Sequence, residues 1–259
     1  MKEHPILVFL VSMAVLWLST WIGASIFRRR KILDEGLLSD YTSMVGAILT
    51  LLALIIGFTL SMAVSRYDLR KDYEDAEANA IGTEFVRADL LPAADAQRVR
   101  ALLTSYVDLR IRDYVSRDEV ELRRLREQTS RLQGQLWSAV RTPATAQPTP
   151  VAALAVSGMN DVINAQGHTH AAWRNRIPLS AWWLMAAIAI IGCALIGYGA
   201  RAFRAEAYFI SVLPAVLSIS FFLIADIDSP RGGLIRITPD NLVDVAQSMR
   251  SSVANASRS

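Results

Sequence analysis

Two pairs of side chains in this sequence have types that could bind a metal ion. His168 and His170 lie two residues apart in the segment Gly-His-Thr-His. Positions two apart on a helix do not share a face, so a metal site would need a loop here, and a solvated or interfacial pair is the simpler interpretation. Asp226 and Asp228 directly follow an apolar run. They could bind a cation or mark the boundary with water, and the boundary is the role we expect.

A cluster of carboxylates follows another apolar run. Beside Arg70 and Lys71 lie Asp72, Glu74, Asp75 and Glu77. The simplest interpretation of this cluster is a solvated helix face. Motifs such as HExxH, GxSxG, CxxC and the phosphate-binding loop are missing from the sequence. We therefore predict that the protein is not an enzyme and that it uses no metal or cofactor.

Four long apolar runs stand out along the sequence. They comprise residues 6–27, 44–64, 179–200 and 208–225, and none contains Asp, Glu, Lys, Arg or His. About 20 apolar residues cross the hydrocarbon core as a helix, so each run predicts a transmembrane helix. The hydrophobic share of 53% is typical of a membrane protein. We expect a multi-pass protein of the bacterial inner membrane that contacts lipid.

The segment between the second and third runs predicts a helical domain outside the membrane. Residues 66–177 include 16 Lys and Arg and 15 Asp and Glu, a nearly neutral balance. Apolar positions recur at helical spacing over 93–115, 118–141 and 151–176. The helix of the second run is expected to continue unbroken out of the membrane as far as Pro92.

The predicted fold is an all-α membrane protein with four transmembrane helices and a helical extramembrane domain between the second and third. We divide the chain into spans at 1–65 and 178–225, the helical domain at 66–177 and a C-terminal tail at 226–259. The proline-rich stretch 142–150 predicts a linker within the domain. The net charge of +3 gives no indication of a nucleic-acid partner. Cys193 is the single cysteine, so no disulfide can form within one chain.

The second run has a distinctive face. Small or polar residues recur there every three or four positions, with one leucine among them: Gly46, Thr50, Leu54, Gly57, Ser61 and Ser65. Small residues let membrane helices approach closely, so this small-residue face could be a packing seam between helices. It could also line a pore in an oligomer, although the spacing alone favours the seam, because this small-residue pattern is common in helix packing. Proton relays and many transporters need ionisable groups at membrane depth, and the four runs have none, which leaves a passive pore or a membrane-anchored interaction module.

The orientation of the chain is predicted differently by two criteria. The short loop with Arg28, Arg29, Arg30 and Lys31 and the short loop with Arg201 and Arg204 belong in the cytoplasm by the positive-inside rule. That assignment would place the helical domain and both termini outside. A raw count of basic residues near the spans favours the opposite orientation.

Residues 57–92 resemble the signature of the bacterial bestrophin-like membrane proteins, a family often catalogued as a domain of unknown function. The most specific positions are Glu77, Asn79, Gly82, Arg87 and Asp89. Segments 175–178 and 221–232, the second with Asp226, Asp228 and Pro230, are similar to that family as well. The resemblance covers residues 50–243.

A more distant similarity connects this family to the bestrophin anion channels, whose second span has a related motif. The positions that match the motif are Gly57, Phe58, Ser61, Arg66, Tyr67 and Asp68. The resemblance implies a homopentamer in which the second span lines an anion-conducting neck, with both termini in the cytoplasm. It implies that five residues of this span are candidates for the pore lining, the gate or its packing face, namely Leu54, Phe58, Ser61, Met62 and Ser65. The acidic run of the animal calcium clasp is absent after Asp228, so the resemblance does not extend to calcium gating.

The function predicted from these features is an oligomeric, passive ion channel that conducts chloride or other small anions. An apolar constriction near Phe58 and Met62 would form the gate, and Arg66 would bias the sign of the permeating ion. The alternative is a non-conducting, membrane-anchored helical scaffold or sensor that binds a protein partner.

Overall fold

The computed structural model describes residues 5–27, 35–199 and 207–256, and these residues form helices and no strand. The eight α-helices are α1 (Pro5–Phe27), α2 (Glu35–Arg87), α3 (Ala93–Val115), α4 (Glu119–Ala146), α5 (Pro150–Arg174), α6 (Leu179–Gly199), α7 (Ala207–Asp228) and α8 (Asp240–Ala256). A short 3₁₀ helix, Ala88–Leu90, follows α2. The predicted all-α fold is confirmed. The basic loops with Arg28–Lys31 and with Arg201 and Arg204 lie outside the described residues.

The first of two compact units comprises Met1–Tyr67 and Arg176–Arg236, and we call it the membrane unit. Among the described residues, four helices are long and apolar enough to cross a membrane, as predicted from the four apolar runs. The buried centre of the unit is made by side chains from all four helices, including Leu16, Leu52, Met185 and Phe221. Burial of such side chains excludes lipid from the interior of the unit and holds its helices together.

The closest helix contact in the membrane unit joins α1 to α6. A Cβ atom at Gly23 would lie 2.0 Å from the carbonyl oxygen of Ala194, and one at Gly197 would lie 2.0 Å from that of Thr20. The hydroxyl of Ser19 also donates a hydrogen bond to the carbonyl of Ile190 across this contact, at 2.8 Å. Glycine is therefore required at both positions, because a side chain would overlap the facing backbone.

The second compact unit comprises Asp68–Asn175 and Ile237–Ser259, and we call it the helical unit. It contains the end of α2 together with α3, α4, α5 and α8. The predicted helix over 93–115 agrees with α3. The apolar positions that recur at helical spacing over 118–141 lie on α4, where Leu122, Leu125, Leu136 and Val140 are buried and Leu132 is half-buried. The unit therefore has an apolar core of its own.

Two local predictions differ from the structure. The predicted linker over 142–150 is wrong in its first half, because α4 continues to Ala146 with a buried Pro143 inside it. Pro143 lacks an N–H donor but its carbonyl still accepts from Gln147 at 2.9 Å, so the helix continues for one further turn. The C-terminal tail, for which no helix was predicted, forms α8. Its apolar side chains Leu242, Ala246 and Met249 are buried.

Candidate functional site

Helix α2 has two different faces in the membrane unit. Leu52, Thr59 and Ala63 point into the core and are buried. The small-residue face lies on the opposite side, and all six of its residues are exposed in the chain. A Cβ atom at Gly46 or Gly57 would meet no other atom within 4 Å. A packing seam between α2 and other described helices of the same chain is therefore ruled out, and this face is free for lipid, a pore or another copy.

Most of the predicted lining residues lie together on this exposed side. At about 100° per residue, Leu54, Ser61 and Ser65 fall within a narrow arc, and Phe58 lies at its edge. Leu54 is 52% exposed and Phe58 is 66% exposed, although both are large apolar side chains. The exposed face therefore combines large apolar side chains with glycine and with the hydroxyl groups of serine and threonine.

Two predicted gate residues lie away from the centre of this face. Met62 is 42% exposed but is rotated toward the side of the helix. Arg66 is half-buried, and its guanidinium Nη2 lies 3.6 Å from the sulfur of Met62. Arg66 follows Ser65 by about 100° around the helix, so the structure does not place the two side chains on one face.

The predicted solvated cluster is divided between two faces of α2 in the helical unit. Asp72 and Asp75 are exposed, as is Asp68 one turn earlier. Glu74 and Glu77 are buried, so the interpretation as a solvated face is wrong for these two. A spacing of three or four residues explains the division, because the buried face of this part of α2 comprises Arg70, Glu74, Glu77, Ala78, Ile81, Glu84 and Phe85.

Glu77 is the centre of a buried polar network. Its carboxylate accepts two hydrogen bonds from the guanidinium of Arg110 on α3, which also pairs with Asp113 at 3.2 Å. The hydroxyls of Tyr114 and Thr169 donate to the same carboxylate at 3.4 and 3.1 Å. Burial opposes the charge of Arg110, but the carboxylate of Glu77 outweighs this effect and raises the pKa of Arg110. The network joins α2 to α3 and α5, so we assign Glu77 a structural role.

Two further charged residues of α2 hold helix ends in the helical unit. The carboxylate of Glu74 accepts from the backbone N–H of Leu242 at 2.9 Å and from the amide of Asn241 at 2.7 Å, at the start of α8. Burial raises the pKa of Glu74, and these hydrogen bonds oppose the shift. Arg70 donates to the carbonyls of Ala172 and Asn175, at 3.3 and 3.1 Å, at the end of α5. These groups satisfy helix ends that would otherwise lack partners.

The other signature residues, on α2 and on the 3₁₀ helix that follows it, have varied surroundings. Gly82 faces Val245 of α8, whose methyl groups would lie 3.6 Å from a Cβ atom at that glycine. Asp89 pairs with Arg100 at 2.5 Å. Asn79 is exposed on the same face of α2 as Asp72 and Asp75. Arg87 lies 3.9 Å from Asp161 of α5.

The two aspartates after the last apolar run bind backbone groups of the membrane unit. Asp226 accepts from the N–H groups of Leu234 and Ile235 at 2.7 and 2.8 Å. Asp228 accepts from the N–H of Ile177 at 3.1 Å. Both carboxylates and Pro230 are buried, so the prediction that the two aspartates mark the boundary with water is wrong. Their oxygens hold the chain after α7 in place, and a cation would have to displace these donors.

The histidine pair lies on helix α5 and not in a loop. His168 is exposed and its ring stacks on Tyr73 at a centroid distance of 5.6 Å, whereas His170 is half-buried. Burial, with help from Arg126 and Arg174, lowers the pKa of His170. Within the described ranges, no group of three or more His, Cys, Asp or Glu side chains is placed to hold a metal ion.

Comparison with known proteins places these features in a family context. A family model described as the Bestrophin-like domain matches residues 6–242. No curated protein sequence matches the chain. Crystal structures of three single-substitution variants of a bacterial bestrophin homologue from Klebsiella pneumoniae are similar, with TM-scores of 0.67, 0.65 and 0.66. Each is 14% identical, and the matches cover 93–95% of this chain and 97% of the other. The similarity in structure therefore extends over nearly the whole chain.

Proposed function

The chain belongs to the Bestrophin-like family, and from this premise we propose that it is an oligomeric ion channel whose α2 helices surround the ion path. The family is one of ion channels and not of enzymes, and the chain is a multi-pass membrane protein. The observation that carries the proposal is the exposed small-residue face of α2, which has no partner among the described helices of its own chain. In a ring of copies, this face can point to the axis.

The chemistry of the exposed face fits a passive pore. Hydroxyl groups of Thr50, Ser61 and Ser65 can replace part of the water around an ion, and the large apolar side chains of Leu54 and Phe58 can narrow the path. An apolar constriction stops ions by losing its water, and widening it restores conduction. By analogy with bestrophins we propose five copies, in the bacterial inner membrane.

The first experiment measures chloride and sodium flux through the purified protein in liposomes. We expect flux from the wild-type protein and a severalfold increase in Phe58→Ala, because the substitution removes the largest exposed apolar ring of the face. The matched control is Trp183→Ala on α6, which removes a ring that is 74% exposed but lies on another helix. Equal flux in the two variants would contradict a gate at Phe58, and no flux in any form would contradict the channel.

Crosslinking in native membranes distinguishes the channel from the alternative scaffold. A closed ring of five copies gives a ladder that ends at five. A non-conducting scaffold or sensor that binds a protein partner has no need of a ring, and a ladder ending at two would favour it. This measurement uses the wild-type chain and requires no ion flux.

The sign of the permeating ion has two candidates. The resemblance to bestrophins favours chloride and other small anions. The exposed carboxylates Asp68, Asp72 and Asp75 of α2 instead favour cations, since rings of aspartate or glutamate select cations in channels. The sequence predicts that Arg66 favours anions because it follows the lining residues directly. Its side chain is rotated away from the small-residue face, however, so this support for anions is weak.

Neutralising the carboxylates tests this second candidate. If they line the ion path, Asp72→Asn with Asp75→Asn should lower the cation-to-anion permeability ratio severalfold, measured as a shift in reversal potential across a salt gradient. The control is Glu119→Gln with Glu127→Gln, which removes two exposed charges from α4. An unchanged ratio with preserved flux would place these aspartates away from the path.

A further inference from the structure

Glu84 is a buried carboxylate of the helical unit, and no described residue forms a hydrogen bond with it. It lies on α2, one turn before the helix ends, and it is 0% exposed. Neither of its oxygens accepts a hydrogen bond from any described residue. The buried carboxylates of Glu74 and Glu77 accept at least two hydrogen bonds each. An ionised carboxylate without partners is strongly disfavoured in such surroundings, so this packing requires the neutral, protonated form of Glu84.

The carboxyl group packs directly against α5 at Gly158. A Cβ atom at position 158 would lie 2.0 Å from Oε2 of Glu84 and 2.7 Å from Nη1 of Arg87. The missing side chain therefore makes room for both polar groups between the helices. The neighbouring Met159 and Val162 of α5 are buried.

Two charged side chains act on Glu84 at this contact. Arg87 follows one turn later on α2, and Asp161 lies on α5. Burial raises the pKa of Glu84 to about 8, the guanidinium of Arg87 opposes the shift and the carboxylate of Asp161 adds to it. Arg87 Nη1 lies 3.9 Å from Asp161 on the other helix.

We propose that Glu84 is a proton-binding site that regulates the contact between α2 and α5. With the proton bound, the neutral carboxyl group stays against Gly158, and Arg87 connects the helices through Asp161. When the proton leaves to water, the new carboxylate competes with Asp161 for Arg87, which is three residues away on its own helix. If Arg87 stays with Asp161, the contact contains an unpaired buried charge. If Arg87 turns to Glu84, the ion pair that connects the two helices is lost, and in either case α5 separates from α2.

The direction of the pH dependence follows from the two environments of Glu84. The closed contact holds the proton more tightly than the open one, in which the carboxyl group meets water and has its ordinary pKa of 4.5. Stabilisation of the closed contact is therefore complete below about pH 4.5 and is lost as the pH rises to about 8. One linked proton changes the opening constant roughly tenfold per pH unit in this interval. The proposal concerns the helical unit alone and does not depend on ion conduction.

Hydrogen exchange of the full-length, detergent-solubilised protein tests the proposal. Protection of the α5 amides in residues 151–165 is measured between about pH 5 and pH 9 and corrected for the intrinsic exchange rate. We expect protection to fall with pH in the wild type and to persist in Glu84→Gln, which is neutral at every pH. Glu127→Gln, at an exposed carboxylate of α4, should behave like the wild type. The proposal would be overturned if protection in the wild type did not change with pH, or if protection fell equally in Glu84→Gln.

A second measurement avoids the possibility that Glu84→Gln does not fold. Difference infrared spectroscopy of the wild type should show a protonated carboxylic acid at pH 7 that is lost by about pH 9. In Asp161→Asn the midpoint should move to lower pH, because a neighbouring negative charge has been removed. No protonated carboxylic acid at pH 7, or the same midpoint in both proteins, would overturn the assignment.

Discussion

Replacing Arg110 with methionine is expected to lower the free energy of unfolding of the helical unit by about 3–5 kcal/mol, since a buried charge loses its partner. Arg110 and Glu77 are both almost completely buried, and the guanidinium donates two hydrogen bonds to this carboxylate. Methionine fills a similar volume but leaves Glu77 with only the hydroxyls of Tyr114 and Thr169. The effect is measured by denaturant unfolding of the detergent-solubilised protein, followed by helical circular dichroism.

Arg112→Met provides the matched control on the same helix. Its side chain is 61% exposed and pairs with Glu121 at the surface, so its loss should cost less than about 1 kcal/mol. The double variant Glu77→Leu with Arg110→Met removes both charges, and its destabilisation should be smaller than the sum of the single variants. Strict additivity of the two substitutions would show that the pair does not couple and would remove Glu77 from the centre of the network.

The apolar parts of the fold could be predicted from the sequence because their signals are local. Four long runs without charges are sufficient to locate four membrane helices, and 93–115 has helical periodicity throughout. The signal at 142–150 was misleading because proline removes one donor without preventing a final turn, and Pro143 is also buried. Helix α8 was not predicted, although Leu242, Ala246 and Met249 have the spacing of a buried helix face.

The buried charges could not be predicted from residue type alone. Asp72 and Glu74 are both acidic and only two positions apart, yet one is exposed and the other is buried. What distinguishes them is the partner that each one meets, and the partners of Glu74 come from α8, far away in the sequence. A signal was nevertheless present, because Arg70, Glu74, Glu77, Ile81 and Glu84 follow the spacing of a helix face that packs on other helices.

The small residues of the membrane helices also show that a local sequence pattern does not determine which helices pack closely. The sequence directed attention to the small-residue face of α2, which has no partner among the described helices of this chain. The close contact instead uses Gly23 and Gly197, which lie in shorter small-residue spacings, Gly23 with Ser19 and Gly197 with Ala189 and Cys193. A small-residue pattern predicts where a close approach is possible, whereas the tertiary arrangement decides where one occurs. For this reason, the exposed small-residue face of α2 is the feature that we propose lines the ion path.

The requirement for glycine at the α1–α6 contact leads to the second large effect. Gly197→Val is expected to lower the free energy of unfolding of the membrane unit by about 3 kcal/mol, at the upper end of the usual cost of overpacking. The cost is large because even a Cβ atom would lie 2.0 Å from the carbonyl oxygen of Thr20, and a backbone atom cannot move aside as a side chain can. The measurement is thermal unfolding of the detergent-solubilised protein, with the yield of folded protein as a second readout.

Gly192→Ala is the matched control five residues earlier on α6. Its new methyl group would meet the side-chain end of Leu49 at 3.4 Å, an ordinary contact, so stability should change little. Gly23→Val disturbs the same contact from α1, and combining it with Gly197→Val should cost less than the sum, because helices already forced apart by one substitution leave room for the other. If Gly197→Val were as stable as Gly192→Ala, α1 and α6 would not approach at these glycines, and the arrangement that leaves the small-residue face of α2 free would lose its basis.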